Sequence, residues 1–272
     1  MINNIKKNIM TIFLGFILFV GLSLLAYPTL SDYWNSFHQS KAVAGYVARV
    51  QNLNKSETSK ILSDTNAYNK ELAKGQIPDL NLSEEDVSAY NRTLNVTDTG
   101  IMAYVDIPKL NTTMPIYHGT DSDILQIAIG HIAGTSLPIG GIGTHAVISG
   151  HRGLPSAKLF TNIDQLIEGD KFLIKVLDET LTYEVDQILT VKPDDISALA
   201  INPDADYVTL VTCTPYGINS HRLLVRGHRI ANDSLSMLVT SEATQVSPLL
   251  VASVLAVSML IIWLGAWWIY KK

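Results

Sequence analysis

Two long apolar segments, one near each end of the chain, set the strongest limit on how this sequence can fold. Residues 9–30 and residues 248–270 contain no charged side chain and are mostly apolar. Each segment exceeds the ~20 residues that a helix needs to cross the hydrocarbon core of a bilayer. We therefore predict two transmembrane helices, so that residues 31–247 lie together on one side of the membrane.

Basic residues next to these segments predict the orientation. One lysine pair, at 6–7, precedes the first segment, and another, at 271–272, follows the second. Because basic residues favour the cytoplasmic side, we expect residues 1–8 and 271–272 in the cytoplasm, and a two-pass protein of the cell membrane with its large middle part outside. A cleaved signal peptide is the alternative for the first segment, but the segment is long for that role and no small-x-small cleavage site follows it.

The part between the two segments divides into a helical region and a region of short strands. Residues 31–99 form the helical region, because apolar residues recur at helical spacing within 34–75 and a capping pattern begins at Ser83. Residues 100–232 form the β-region, and 233–247 are a linker to the second apolar segment. The net charge of −5 offers no basic face for nucleic acid.

The β-region contains short β-type runs separated by turn residues. About seven or eight such runs, together with one inserted helix at 156–166, indicate a mainly β fold built as a closed or nearly closed barrel. The expected strands are 101–107, 114–117, 144–149, 171–177, 181–191, 207–212 and 222–230.

The single cysteine, Cys213, follows the sixth of these runs. A lone cysteine outside the cell has no intrachain disulfide partner, so it is either a buried apolar residue or a working thiol. If the runs around it form a hairpin, Cys213 ends one strand and Arg222 begins the next, so a thiol and a guanidinium face one site. A core cysteine beside a solvated arginine explains this segment equally well.

A nucleophilic thiol needs a partner, and histidine is the usual one. His151 has the most informative surroundings, because it follows the apolar run 146–149 and lies between Gly150 and Gly153, where backbone can approach a ligand. A hydrogen-bonded structural role is the alternative for every histidine. The other six are His38, His118, His131, His145, His221 and His228.

Two motifs carry a resemblance to a known family. The sequence SGHRGLPSAKLF, which holds His151, and the sequence TLVTCTPYGINSHRLLVRG, which holds Cys213 and Arg222, resemble the sortases of Gram-positive bacteria, and among them the pilus-associated class C sortases. The segments 107–110 (IPKL) and 134–141 (GTSLPIGG) are similar to that family as well. The resemblance covers roughly residues 100–230. It implies an eight-stranded sortase-type β-barrel with short helices, and a C-terminal membrane span is typical of class C.

The resemblance also implies a chemistry that needs no metal or organic cofactor. Cys213 would attack the Thr-Gly bond of an LPXTG-like sorting signal and form a thioacyl enzyme. His151 would protonate the leaving amine, and Arg222 would hold the substrate and the oxyanion. The expected partners are LPXTG-bearing pilin or surface proteins, an amine acceptor from a pilin lysine or a cell-wall precursor, and membrane lipid, without nucleic acid.

One segment departs from the class C pattern. Class C sortases commonly carry a lid with an Asp-Pro-aromatic motif ahead of the barrel, whereas residues 76–81 read QIPDLN. Proline and aspartate are in the opposite order, and no aromatic residue is present. The existence of a lid stays open, with Asp79 as a candidate partner of Arg222 and Leu80 as a candidate plug of the thiol pocket.

Two other classes of function compete with this interpretation. A papain-like hydrolase also uses cysteine and histidine, but there the cysteine lies on a helix near the mature N-terminus and the histidine follows it. Here His151 precedes Cys213. A membrane scaffold for pilus assembly that has no catalytic activity explains the two apolar segments, but it gives no reason for the Cys-to-Arg loop.

Overall fold

The structure is a computed structural model that describes residues 2–97 and 99–232. These residues form four α-helices, eight strands and three short 3-10 turns. The helices are α1 (Ile2–Gln51), α2 (Lys55–Ala73), α3 (Glu84–Arg92) and α4 (Ser122–Leu125).

Helix α1 joins the first apolar segment to the start of the helical region without interruption. Among the described residues, one helix, Phe13–Gln51, is long and apolar enough to cross a membrane. Its most apolar 18-residue window has a mean hydropathy of 2.0, and none of that window is buried. The second predicted span, 248–270, and the predicted linker 233–247 lie outside the described residues.

The helices begin at capping residues that the sequence supplies. Asn54 starts α2, where its Oδ1 accepts the backbone N–H of Glu57 and its own N–H donates to the Glu57 carboxylate, both at 2.9 Å. Ser83 caps α3, as its spacing to Asp86 predicts, by accepting the Asp86 N–H at 3.2 Å. These bonds satisfy backbone donors that have no partner within a helix. The end of α1 and all of α2 and α3 lie within the predicted helical region, with a break between α1 and α2 that the sequence did not predict.

The eight described strands close into a barrel, which confirms the predicted mainly β barrel. Around the barrel the order is β1-β2-β3-β4-β7-β8-β6-β5, and β5 pairs with β1 to close it. Apolar side chains fill the interior, and Phe160, Phe172 and Tyr183 are among the largest that are fully buried. The strands are β1 (Ile101–Ile107), β2 (Thr112–His118), β3 (Ile129–His131), β4 (Thr144–Ser149), β5 (Lys171–Val176), β6 (Glu179–Val191), β7 (Asp206–Thr214) and β8 (His221–Ile230).

Two of the strand pairings are parallel, and one of them determines where the loops converge. Strand β2 runs parallel to β3, and β4 runs parallel to β7, whereas the other pairings are antiparallel. The carboxyl ends of β4 and β7 therefore meet at one end of the barrel, where the antiparallel β8 begins. We call this the thiol end, because Cys213 lies there.

Two details of the predicted β-region are wrong. Strand β3 was missed, because three residues are too few to show an alternating pattern. The helix predicted at 156–166 is a loop that contains only a 3-10 turn, Ile163–Gln165. The loop's backbone donors are used elsewhere: the Phe160 N–H bonds to the His151 carbonyl, and the Lys158 N–H bonds to Asp32 of α1.

Candidate active site

The parallel register of β4 and β7 brings His151 beside Cys213. Ser149 of β4 pairs with Val211 of β7. His151 and Cys213 each lie two residues beyond this pair. Beyond the last pair the strands stay joined, because the Gly150 N–H donates to the Val211 carbonyl at 3.0 Å and the Thr212 hydroxyl donates to the Gly150 carbonyl at 2.7 Å. The predicted histidine and cysteine therefore leave neighbouring strands at the same level.

Gly150 is required for this arrangement. A Cβ atom at this position would lie 2.7 Å from side-chain atoms of Ile129 and Phe160, both of which are fully buried. Such distances are well inside van der Waals contact, and a packed core cannot move to accommodate them. The glycine thus allows β4 to pass tightly over the core just before it delivers His151.

Arg222 occupies the position opposite Cys213 across the β7–β8 ladder. The two residues are direct partners in the antiparallel register, and side chains at such positions share one face of the sheet. Nη1 of Arg222 donates to the carbonyls of His221 at 3.1 Å and Asn219 at 3.3 Å. In the described part of the chain, Nε and Nη2 have no hydrogen-bond partner and are available to a ligand. All three predicted site residues, Cys213, His151 and Arg222, are half-buried at the thiol end.

A second arginine, Arg152, ties the histidine loop to the cysteine strand. Its Nη1 lies 3.4 Å from the Thr214 hydroxyl, its Nη2 forms an ion pair with Asp164, and its guanidinium lies 5.9 Å from the centroid of the Tyr216 ring. The Tyr216 ring also packs on Gly153, where a Cβ atom would lie 3.1 Å from it. Arg152 therefore connects the two loops that carry the histidine and the cysteine.

Sequence reasoning gave Arg152 no role. It stands next to His151 in the motif SGHRGLPSAKLF, and that adjacency is the only signal that the sequence offers. Its partners Thr214 and Asp164 lie 62 and 12 residues away along the chain, so the contacts depend on the closed barrel.

Three other histidines are locked into structural hydrogen bonds. In each of them both ring nitrogens lie within 3.1 Å of a protein oxygen: His118, His131 and His145. Burial lowers the pKa of His131 to about 3 and also lowers the pKa of His145. The ring of His151, in contrast, has no hydrogen-bond partner among residues 2–97 and 99–232, so its nitrogens are available for proton transfer.

The remaining histidines fit the site less well. His221 is at the thiol end, opposite Thr214, and its Nδ1 lies 2.9 Å from the Ser220 hydroxyl. His228 pairs with Tyr207 near the start of β7, at the other end of the barrel. His38 lies on α1 with its Nδ1 2.8 Å from the Trp34 carbonyl.

The segment with the altered lid motif does not approach the thiol. The Gln76 carbonyl accepts the Ile201 N–H at 2.6 Å, and Ile201 precedes the first residue of β7. The Asp79 carbonyl packs so closely on Gly134 that a Cβ atom there would lie 2.0 Å away. Both contacts hold this segment away from the thiol end. The suggested pairing of Asp79 with Arg222 is therefore wrong, and the Asp79 carboxylate instead accepts the Asn81 N–H at 2.9 Å.

The site contains the parts that acyl transfer needs, namely a thiol, an imidazole and a guanidinium on three adjacent chain segments. No group of three or more His, Cys, Asp or Glu side chains that could hold a metal ion is found among the residues that the structure describes. What the arrangement supports best is covalent chemistry through Cys213.

Comparisons with known proteins point to one family. The family model of the sortase domain matches residues 105–230. Sortase D of Bacillus subtilis is 30% identical over 129 residues, which are 46% of this chain and 62% of that protein. Sortase SrtE1 of Streptomyces coelicolor is 30% identical over 142 residues, which are 47% of this chain and 40% of that protein. The chain thus matches between about two fifths and three fifths of these curated relatives.

Solved structures are similar over a larger share of the chain. Sortase C1 of Streptococcus agalactiae is 49% identical with a TM-score of 0.68, covering 71% of this chain and 100% of that one. The structure named sortase C1 of GBS Pilus Island 1 is 41% identical with a TM-score of 0.63, covering 70% of this chain and 93% of that one. The shared region exceeds the barrel, so it includes part of the helical region.

Proposed function

This chain belongs to the sortase family, and from that membership and the geometry of its site we propose that it is a membrane-anchored cysteine transpeptidase acting on an LPXTG-like sorting signal. The observation that carries the proposal is the convergence of Cys213, His151 and Arg222. Two strand registers, one parallel and one antiparallel, align these residues at one end of the barrel.

Each side chain is suited to a different step. The Cys213 thiolate attacks the threonine carbonyl carbon, and Arg222 stabilises the oxyanion with a guanidinium that keeps its own proton. The bond to the glycine nitrogen then breaks, and the imidazolium of His151 gives its proton to the leaving amine. A new amine attacks the thioester and returns a proton to His151, so that an amide forms and the thiolate is released.

The acceptor amine decides between pilus building and wall anchoring. We propose a pilin lysine or a cell-wall peptide amine as the acceptor, with LPXTG-bearing pilins or surface proteins as substrates. Support for a pilus role comes from the solved class C structures, one of which is named for a pilus island.

The chain is proposed to be anchored in the cell membrane with its barrel outside the cytoplasm. Support comes from α1, whose apolar part is unburied and long enough to span. The second apolar segment, 248–270, and the flanking lysines complete a two-pass topology with both termini inside.

A peptide assay with an added amine tests the function. The full chain in detergent is mixed with a fluorogenic LPXTG peptide and a primary amine, and the products are identified by mass spectrometry. Amide product and a thioacyl adduct on Cys213 support transpeptidation. Acid product alone would instead indicate a hydrolase, and an unchanged peptide would favour the non-catalytic scaffold.

Two variants assign the roles in the same assay. Cys213→Ala removes only the sulfur from a half-buried site, so it folds and forms no thioacyl adduct. His151→Ala lowers the transfer rate by roughly 10²–10⁴-fold, the usual contribution of a general acid. If His221→Ala produced this loss and His151→Ala did not, the acid would be His221.

A further inference from the structure

The segment that carries His151 is a closed loop whose tip reaches helix α1. The Phe160 N–H donates to the His151 carbonyl at 3.1 Å, which fixes the two ends of residues 151–160 together. Within this loop the only regular structure is turn and bend, so its shape depends on contacts from outside. Arg152 supplies one such contact, to the cysteine strand, and α1 supplies another. The buried side chains of Ala157, Leu159 and Phe160 anchor the end of the loop in the core.

Three side chains within two turns of α1 bind the tip of this loop. The Ser156 carbonyl accepts two hydrogen bonds, from Asn35 Nδ2 at 2.7 Å and from Ser31 Oγ at 3.1 Å. The Lys158 N–H donates to Asp32 Oδ1 at 2.8 Å, and the Lys158 ammonium lies 3.2 Å from Asp32 Oδ2. We call Ser31, Asp32 and Asn35 the α1 clamp.

The two kinds of contact in the α1 clamp differ in strength. The Lys158 side chain is 72% exposed, so its ion pair with Asp32 is screened by solvent. The three hydrogen bonds to the Ser156 carbonyl and the Lys158 N–H bind backbone atoms of the loop. Two of them are short, at 2.7 and 2.8 Å. These backbone contacts, rather than the ion pair, are the main way in which α1 holds the tip of the loop.

The α1 clamp follows immediately after the first apolar segment. Asn35 lies five residues beyond position 30, which is about 7.5 Å along a helix. A further contact of α1, from Gln39 Nε2 to the Ile127 carbonyl at 2.8 Å, reaches the chain just before β3, also at the thiol end. The helix that leaves the membrane thus contacts the His151 loop before it contacts the rest of the barrel.

We propose that the α1 clamp positions His151, so that the membrane-exit turn of the anchor helix is part of the catalytic apparatus. This inference rests on the proposed function. Ser31, Asp32 and Asn35 are positioning residues that act through the loop, and they touch neither substrate nor thiol. Release of the clamp displaces the imidazole from the leaving amine while Cys213 and Arg222, held by the β7–β8 ladder, stay in place.

The test compares two substrates that differ in how much they need an acid. One is the LPXTG peptide with its scissile amide, and the other has an ester at the same bond, whose alkoxide leaving group requires less protonation. Asn35→Asp replaces the donor to the Ser156 carbonyl with a carboxylate of the same size. In the full chain reconstituted in phospholipid nanodiscs, we expect kcat/KM for the amide to fall roughly tenfold to a hundredfold, since small displacements of a catalytic group have such effects.

The same variant should keep ester cleavage within about threefold of the unmodified chain, because the acid contributes little to that reaction. Asp32→Ala should behave like Asn35→Asp, whereas Asp32→Asn keeps an acceptor for the Lys158 N–H and should retain most of the amide activity. Gln39→Ala is the matched control, because it removes an α1 hydrogen bond of similar length that does not touch the His151 loop. It should leave both rates unchanged.

The outcomes separate this inference from the proposed function. An unmodified chain that cleaves neither substrate contradicts the proposed function itself. If that chain is active and Asn35→Asp and Asp32→Ala match it on the amide, or lose amide and ester cleavage equally, then the α1 clamp does not position His151. Equal rates of Cys213 alkylation by iodoacetamide in all variants verify that the barrel and its thiol are intact.

Discussion

At the scale of single residues, two arginines lie near the thiol, and their contacts assign them different tasks. Arg152 uses Nη1 on Thr214 and Nη2 on Asp164, and its Nε is buried without a hydrogen-bond partner in the described part of the chain. Arg222 uses only Nη1 on backbone carbonyls and keeps Nε and Nη2 without a partner in the described part of the chain. A guanidinium with unused donors can bind a developing oxyanion, so Arg222 is the better candidate for that role.

Replacement of Arg222 by lysine tests this assignment. Lysine keeps the positive charge but loses the planar donor fork, so Arg222→Lys should fold normally and lose roughly 10²–10³-fold in transfer rate. Arg226→Lys is the matched control, since Arg226 lies on the same strand and pairs with Asp186 away from the thiol. A fully active Arg222→Lys enzyme would reduce Arg222 to a general source of charge.

At the scale of elements, the connection between α2 and α3 shows why the lid question could not be answered from the sequence. The motif QIPDLN differs from the class C pattern, but the order of its residues does not show where the segment lies on the barrel. Location depends on the Ile201 N–H and on the close approach to Gly134, which are contacts over long chain distances. Leu80 is 40% exposed there and fills no thiol pocket.

The reactivity of the resting thiol tests this placement. We expect Cys213 to react readily with DTNB, and the variants Asp79→Ala and Leu80→Ala to change that rate by no more than about threefold, because a plug affects reactivity only through the fraction of closed molecules. A resting thiol that is nearly inert and becomes a hundredfold or more reactive in either variant would show that this segment covers the site after all.

Local patterns predicted most of the strands and the Ser83 cap, whereas features that depend on tertiary contacts were missed. Alternation identified most of the strands, and the Ser83 pattern identified the start of α3. The predicted site residues Cys213 and Arg222 share one hairpin, so their proximity was available from local sequence. Strand β3, the loop at 156–166 and the role of Arg152 depend on parallel pairing and on α1, which leave no periodic signal.

At the scale of the whole molecule, buried histidines link the stability of the barrel to pH. His131 is fully buried and bonded to Tyr90 and to the Ser136 carbonyl, and burial lowers its pKa from 6.5 to about 3. Below about pH 6.5 the unfolded chain binds a proton that the folded chain does not. The folded state is therefore stabilised above this pH and loses that stability progressively as the pH falls toward 3.

Measurement of the melting temperature from pH 7.5 to pH 5.5 tests the contribution of His131 to stability. This range brackets the ordinary histidine pKa of about 6.5. We expect the melting temperature to fall across this range. His131→Gln should melt lower at pH 7.5, because it loses part of the buried hydrogen bonding, but its slope with pH should be smaller, because glutamine does not titrate. Burial also raises the pKa of Asp106 and Asp206 and lowers the pKa of His145, but these groups are the same in both proteins, so the difference between the two slopes isolates His131. Equal slopes would contradict the linkage.

The proposed anchoring through α1 bears on which end of the barrel would face the membrane. With α1 as the proposed anchor, the α1 clamp would lie where the helix leaves the membrane, and a substrate held in the same membrane would meet the thiol end close to the bilayer surface. Labelling in intact cells tests the topology in a Cys213→Ala background that has no other cysteine. Asn3→Cys and Lys272→Cys should stay unlabelled by a membrane-impermeant maleimide until the membrane is permeabilised, whereas Lys192→Cys, beyond the end of β6, should be labelled at once. Immediate labelling at position 272 would leave the chain with a single membrane crossing, and the second apolar segment would then need another role.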